Sequence, residues 1–111
     1  MALSADILRG YTDTIILRQL AQGDSYGYQI NRRVAEISSG ALEMKEATLY
    51  TAFRRLEGAG YIRSYWGDET TGARRRYYAI TEAGFEKLAQ DCNAWEETKI
   101  MMDRLLKEDV E

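Results

Sequence analysis

The chain has 111 residues, 45% hydrophobic and 30% charged, with a formal net charge of -3, a single cysteine and no histidine. That length suits one domain with a modest core, a lone cysteine excludes an intrachain disulfide, and the lack of histidine removes nearly all the usual zinc constellations, so no metal or cofactor is expected. No apolar run approaches the ~18 residues a membrane span needs and nothing resembles a signal peptide, so a soluble, cytoplasmic protein with no membrane partner is expected.

The spacing from Ser4 to Gly23 predicts one helix, capped by Ser4 and ended by Gly23. Leu8, Tyr11, Ile15 and Leu20 form one apolar face. Ile7, Thr14, Ile16 and Leu17 carry hydrophobicity further round the cylinder than a small monomer would show on its surface, which favours a subunit partner over a deeply buried central helix. Asp24-Ser25 supplies the N-cap of a second helix with a Tyr26, Ile30, Val34, Ile37 stripe, ending at Ser38-Ser39-Gly40. In the link that follows, Leu42 and Met44 alternate as a very short strand would.

From Lys45 to Gly60 the chain reads as a third helix, stopped by Gly58 and Gly60. Leu49, Ala52, Phe53 and Leu56 recur on one face, while Thr48, Tyr50, Thr51, Arg54 and Arg55 lie off it. Two closely spaced helices, the second with hydroxyls, an aromatic ring and arginines outward, outline a helix-turn-helix whose second member suits a DNA major groove. Tyr61 to Trp66 and Arg76 to Thr81 are β-rich segments around a polar, glycine-containing loop, the composition of a two-stranded wing. Residues 45 to 76 hold seven basic and four acidic side chains, whereas 82 to 111 hold four and nine, so the middle of this acidic chain is basic. Thr48, Tyr50, Thr51 and Arg54 are therefore the candidates for the groove, with Lys45, Arg74 and Arg75 on phosphates; Arg55, Tyr77 and Tyr78 are read as structural.

Thr81 caps a last helix, with Glu82 in its first turn. Phe85, Leu88, Cys92, Trp95, Lys99, Met102 and Leu106 follow a heptad seam, so this helix is expected to pair with the first helix and a symmetry mate in a homodimer. Phe85, Leu88, Trp95, Met102 and Leu106 are the expected interface residues. Cys92 and Lys99 flank Trp95 and fill a packed layer poorly, which leaves two readings of Trp95: an interface anchor, or half of a two-tryptophan slot for a flat aromatic ligand.

The motifs D-S-Y-G-Y-Q-I, E-A-T-L-Y-T-A-F-R-R-L-E-G-A-G-Y-I and R-R-R-Y-Y-A-I-T-E-A-G, in an order of three helices, hairpin and long helix, resemble the PadR family of bacterial transcriptional regulators over residues 5 to 90. Within it the chain looks most similar to the short-tailed, LmrR-like multidrug-binding subgroup. The resemblance implies a mostly α, α+β winged helix-turn-helix over residues 1–81 and a C-terminal dimerisation helix over 82–111. It also implies a homodimeric repressor that binds a two-fold double-stranded DNA operator through helix 45–59 and wing 67–75 and is relieved by a planar aromatic small molecule at the dimer centre. Trp95 matches the ligand-stacking tryptophan of that subgroup, and Ile7, Asp13, Thr14 and Leu17 correspond by position to the pore lining. Cys92 stands where the subgroup has a larger aromatic and Lys99 where it has an acid, which suggests a roomier, less acidic slot. Lys45 replaces a small polar residue at the third helix's start, losing a cap. The alternatives are a winged-helix module that binds protein instead of DNA, and an enzyme. Without histidine, a phosphate-cradling glycine loop or a base for Cys92, an enzyme is not expected.

Overall fold

The computed structural model describes residues 3–68 and 74–107; the centre of the wing loop and the last four residues, both included in the expectations above, lie outside the described residues. Five helices and two strands follow in the order α1 (Ala5–Arg9), α2 (Thr12–Leu20), α3 (Gly27–Ile37), α4 (Glu46–Gly58), β1 (Ile62–Trp66), β2 (Arg76–Ile80) and α5 (Glu82–Lys107). This is the mostly helical α+β winged helix with a long C-terminal helix that the sequence predicts. No described helix is long and apolar enough to cross a membrane.

The first segment is two helices rather than one. Ser4 caps α1 as expected, accepting from the Asp6 amide, but Gly10 closes that helix and Tyr11 takes the N-cap position of α2. The break is stabilised locally: the Tyr11 amide donates to the Leu8 carbonyl at 2.8 Å and the Thr12 hydroxyl donates to the same carbonyl at 3.0 Å, replacing the amide a continuous helix would offer. Restarting the helix sends Ile16, Leu17 and Leu20 fully into the domain's own core. The expected second apolar face is thus covered from within for Ile16 and Leu17; Ile7 on α1 is what remains exposed, at 61%.

Ser25 does not cap α3, whose N-cap is Tyr26. It pairs instead with β2, its amide donating to the Tyr78 carbonyl at 3.1 Å and its carbonyl accepting from the Tyr78 amide at 2.8 Å, as a one-residue third strand. Ile30 and Val34 of the predicted α3 stripe are buried, whereas Ile37 is exposed at the helix end. The link after α3 forms no strand, yet Leu42 and Met44 both turn inward. Asn31 fixes this link: its Oδ1 accepts from the Met44 amide at 2.9 Å and its Nδ2 donates to the Met44 carbonyl at 2.7 Å. Asn31→Ala is therefore expected to cost about 1–3 kcal/mol, because a part-buried main-chain pair loses both partners. Urea unfolding would show this as a lower midpoint, and an unchanged midpoint rejects it.

The core of α4 is the predicted stripe, Leu49, Ala52, Phe53 and Leu56, all buried. The Phe53 ring stacks on Tyr78 with centroids 3.9 Å apart, joining α4 to the wing's inner face. β1 and β2 pair antiparallel from Ile62↔Ile80 to Trp66↔Arg76. Gly60 ends α4 with φ +82, a conformation glycine adopts without steric cost. Thr81 then serves two masters: its hydroxyl donates to the Gly60 carbonyl at 2.7 Å and accepts from the Gly84 amide at 3.1 Å, so the end of α4 and the start of α5 share one joint.

Leu88 of α5 belongs to the intramolecular core, which corrects its assignment to a dimer seam. From Cys92 to Lys107 every residue of α5 is exposed, and the molecule measures 67 × 31 × 21 Å because this half of the helix projects from the domain.

Candidate functional site

Helix α4 presents two exposed strips beside its buried stripe. Lys45, Thr48 and Thr51 form one wall of an open groove of about 1030 Å³, whose opposite side is built from α1, the first turn of α2 and the middle of α5, including Trp95. Arg54 projects from α4 into solvent. Tyr50 leans the other way: its ring sits edge-on to Phe53 at 5.7 Å and its hydroxyl hangs over Gly27, where an added Cβ would lie 3.2 Å from it. Gly27 thereby lets the two helices of the helix-turn-helix approach, and Tyr50 keeps 42% exposure at their junction.

The wing base is an aromatic and cationic cluster. Tyr65 stacks on Tyr77 at 5.7 Å, Tyr77 meets Tyr26 edge-on at 5.4 Å, and the Arg75 guanidinium lies 4.9 Å from the Tyr26 ring centre. Arg74 and Arg76 both approach the Trp66 ring, at 5.9 and 5.8 Å. The Tyr65 hydroxyl donates to Asp24 at 2.5 Å, and that bond raises its pKa above the usual phenol value. These contacts tie the wing to the start of α3, and Arg74 and Arg75 are part of that braced base.

Two of the basic side chains are already matched by carboxylates. Arg76 Nη2 lies 3.6 Å from Glu57, and Arg55 reaches across from α4 to grip both carboxylate oxygens of Asp13, with the Nε contact at 2.9 Å. The structural reading of Arg55 therefore holds, and Asp13 is not an uncommitted charge for a ligand. The hydrogen bond from Arg55 to Asp13 raises the guanidinium pKa further, and Asp91 does the same for Lys87. A raised cationic pKa stabilises the fold below the ordinary value and is lost only as pH climbs through the folded one; for both groups that lies in strongly alkaline solution. Neither cation loses its charge near neutrality.

Of the seven positions expected around a ligand, the groove brings together Trp95, Asp13 and Thr14. Trp95, 44% exposed, rests edge-on against Tyr11 at 5.3 Å, and the Thr14 hydroxyl donates to Asp91 at 2.8 Å. Leu17 is fully buried in the core and lines nothing, which corrects that assignment: restarting the helix at Tyr11 turns it inward. Ile7, Cys92 and Lys99 are exposed outside the groove, with Lys99 paired to Glu96 at 3.1 Å. Tyr11 and Asp91 were not singled out by sequence reasoning. Tyr11 reads there as one apolar position among several, and Asp91 as one acid in an acidic helix.

The sequence pattern of the transcriptional regulator PadR-like family matches residues 16–90, the span from α2 through the wing into α5. The chain belongs to this PadR-like family. A transcriptional regulator from Clostridium thermocellum is 47% identical and superimposes with a TM-score of 0.88 over 96% of this chain and 100% of that one. A PadR family transcription regulator from Clostridium difficile is 35% identical, with a TM-score of 0.77 over 86% of this chain and 98% of its own. An uncharacterized protein from Lysinibacillus sphaericus is 39% identical over 103 residues, 93% of this chain and 94% of that protein. Both of these relatives of known structure are transcriptional regulators.

Proposed function

We propose that this PadR-like chain is a cytoplasmic, homodimeric repressor that binds a two-fold operator through α4 and the wing and is released by a planar aromatic ligand. The observation that carries the DNA reading is the arrangement of Thr48, Thr51 and Arg54 on the exposed side of α4, beside a wing base where Arg74 lies against Trp66 and Arg75 against Tyr26, both residues exposed. In this reading Thr48, Tyr50, Thr51 and Arg54 meet base edges, with Tyr50 confined to the junction over Gly27, and Lys45, Arg74 and Arg75 meet phosphates. Residues 1–81 form the DNA-binding unit and 82–111 the dimerisation helix, with Phe85, Trp95, Met102 and Leu106 at the interface.

The ligand reading rests on the groove, where an exposed indole and Tyr11 offer aromatic surface for a flat ring. Asp13 is held by Arg55 and Asp91 by Lys87, so two of the groove's acids are already paired with cations. That separates the site from a cation-selective member of the short-tailed multidrug-binding subgroup. Titrating tryptophan fluorescence with planar cationic, neutral and anionic aromatics tests this. Saturable quenching that disappears in Trp95→Ala is expected, and quenching that survives in that variant refutes the slot.

The DNA reading is tested by selecting duplexes from a random library and measuring their affinity against salt. Arg54→Ala should weaken the selected duplex roughly tenfold, as loss of a base contact worth about 1–3 kcal/mol does. Arg74→Ala should weaken all duplexes alike and reduce the salt slope by about 1 per protomer. Equal retention of every duplex, or none, would mean a protein-binding module instead.

A further inference from the structure

The first turn of α2 touches both functional ends of the molecule within four consecutive residues. Tyr11 supports Trp95 edge-on at 5.3 Å, Asp13 is gripped by Arg55 of α4, and Thr14 donates to Asp91 of α5 at 2.8 Å, whose other oxygen accepts from Lys87 at 2.9 Å. Two residues further on, Ile16 and Leu17 are fully buried, so this turn is fixed to the core that α4 shares. We infer that the first turn of α2 is the strut through which a displacement of α5 at Trp95 reaches the recognition helix. The inference rests on the reading of α4 as the DNA-contacting helix and of Trp95 as the effector end.

Apart from Leu88, which packs in the core, helix α5 is held in two places. Its base is the joint of Gly60, Thr81 and Gly84, which admits no added atom, since a Cβ on Gly84 would lie 2.1 Å from the Tyr61 carbonyl oxygen. Its second support is the α2 turn. At ~1.5 Å per residue, Asp91 stands roughly 10 Å and Trp95 roughly 16 Å beyond Gly84. A tilt of about 5° about the joint moves Trp95 by roughly 1.4 Å, a typical helix shift, and Asp91 by roughly 0.9 Å. The Thr14–Asp91 bond of 2.8 Å does not survive a 0.9 Å extension, so either it breaks or the α2 turn follows. If the turn follows, Asp13 carries Arg55 with it, because two guanidinium contacts hold that pair in orientation as well as distance. Arg55 lies one turn beyond Thr51 on α4, so the pull reaches the strip that lines the groove.

Arg55 reaches Thr14 by way of Asp13, and Lys87 faces both Asp13 and Asp91, so a double-mutant cycle is decisive when its second member removes the Thr14 hydroxyl and no second charge. Unfolding of Arg55→Gln, Thr14→Val and the double variant is measured at one protein concentration, since valine keeps the shape of threonine and cannot donate to Asp91. The unfolding constant of the double variant should depart from the product of the single effects by at least about threefold. Multiplicative effects overturn the strut. This arm involves no DNA, so it decides the coupling even if the operator reading fails.

The second arm uses the full chain labelled with 5-fluorotryptophan, the two fluorine resonances being assigned with Trp66→Phe. Binding a selected duplex should shift the Trp95 resonance, because coupling between two sites is reciprocal. In Arg55→Gln, compared at equal duplex occupancy, that shift should fall at least threefold, and the charge-swapped Asp13→Arg/Arg55→Asp pair should restore it. An undiminished Trp95 shift in Arg55→Gln overturns the strut and leaves the Gly84 joint as the route. Failure of the wild type to bind any duplex refutes the DNA reading instead.

Discussion

Gly84→Ala is expected to lower the stability of the fold by about 3 kcal/mol or more, at the upper end of what an overpacked site costs. The added Cβ would stand 2.1 Å from the Tyr61 carbonyl oxygen and 2.6 Å from Ile80 Cγ1. The isoleucine can turn away, but the carbonyl cannot: it already accepts from the Thr81 amide at 3.0 Å, and the Tyr61 amide is bound to Leu56 at the end of α4. Relief therefore demands that α5 lift off the wing, which would also pull Leu88 from the core. Alanine's better helix propensity returns only about 1 kcal/mol. Thermal unfolding followed by circular dichroism should show a midpoint lower by roughly 12 °C or more, at about 4 °C per kcal/mol for a chain of this size. Gly58→Ala is the matched control, since its Cβ would meet nothing within 4 Å and it sits inside α4. Equal midpoints for the two variants would mean that the joint is not rigid.

What could be read in advance follows from which interactions are local. The α4 stripe of Leu49, Ala52, Phe53 and Leu56 repeats within one helix, and the wing strands declare themselves by β-branched and aromatic runs around a polar loop. Both therefore emerged with nearly correct bounds. The break at Gly10–Tyr11 stayed hidden because Leu8, Tyr11 and Ile15 keep helical spacing straight through it. The deciding interaction is the Thr12 hydroxyl on the Leu8 carbonyl, which imitates a helical bond. Ser25 is of a type that caps helices, and only its pairing with Tyr78, far along the chain, makes it a strand residue.

The candidate site was less legible than the fold. The pairing of Asp13 with Arg55 joins residues 42 positions apart, and no periodicity announces it. A carboxylate that sequence reasoning assigned to a ligand is instead spent on the recognition helix. Likewise the heptad seam of α5 reads as continuous, yet the helix leaves the domain part-way along it. Leu88 lies before that exit, in the core, and Trp95 after it, 44% exposed. The seam is an intramolecular contact at its start and an open face beyond.

That open face carries the second large expectation: Met102→Glu combined with Leu106→Glu should convert a dimer into a monomer and weaken binding of a selected duplex by at least about 100-fold. At 100° per residue, Met101, Leu105, Met102, Trp95 and Leu106 cover an arc of roughly 140° on the projecting half of α5. Their exposures run from 43% for Met102 to 73% for Leu106. Completing their burial is worth roughly 1–2 kcal/mol each, so ten such side chains across a two-fold axis supply roughly 10–20 kcal/mol. The middle of that range, about 15 kcal/mol, covers an association cost of about 4–15 kcal/mol. Removing four of the ten and introducing four carboxylates at their places takes the balance below it. The fold itself should be unaffected, because no described residue from Cys92 to Lys107 is buried in the domain core. Circular dichroism should therefore match the wild type while sedimentation equilibrium reports half the mass. The loss of duplex affinity follows from avidity: two half-sites bound by linked domains gain about 10²–10⁴ over one. A wild type that sediments as a monomer at tens of micromolar would refute the dimer outright. A double variant that is monomeric yet binds the duplex as tightly as the wild type would instead show that one protomer reads the whole site, and the two-fold operator would have to be abandoned.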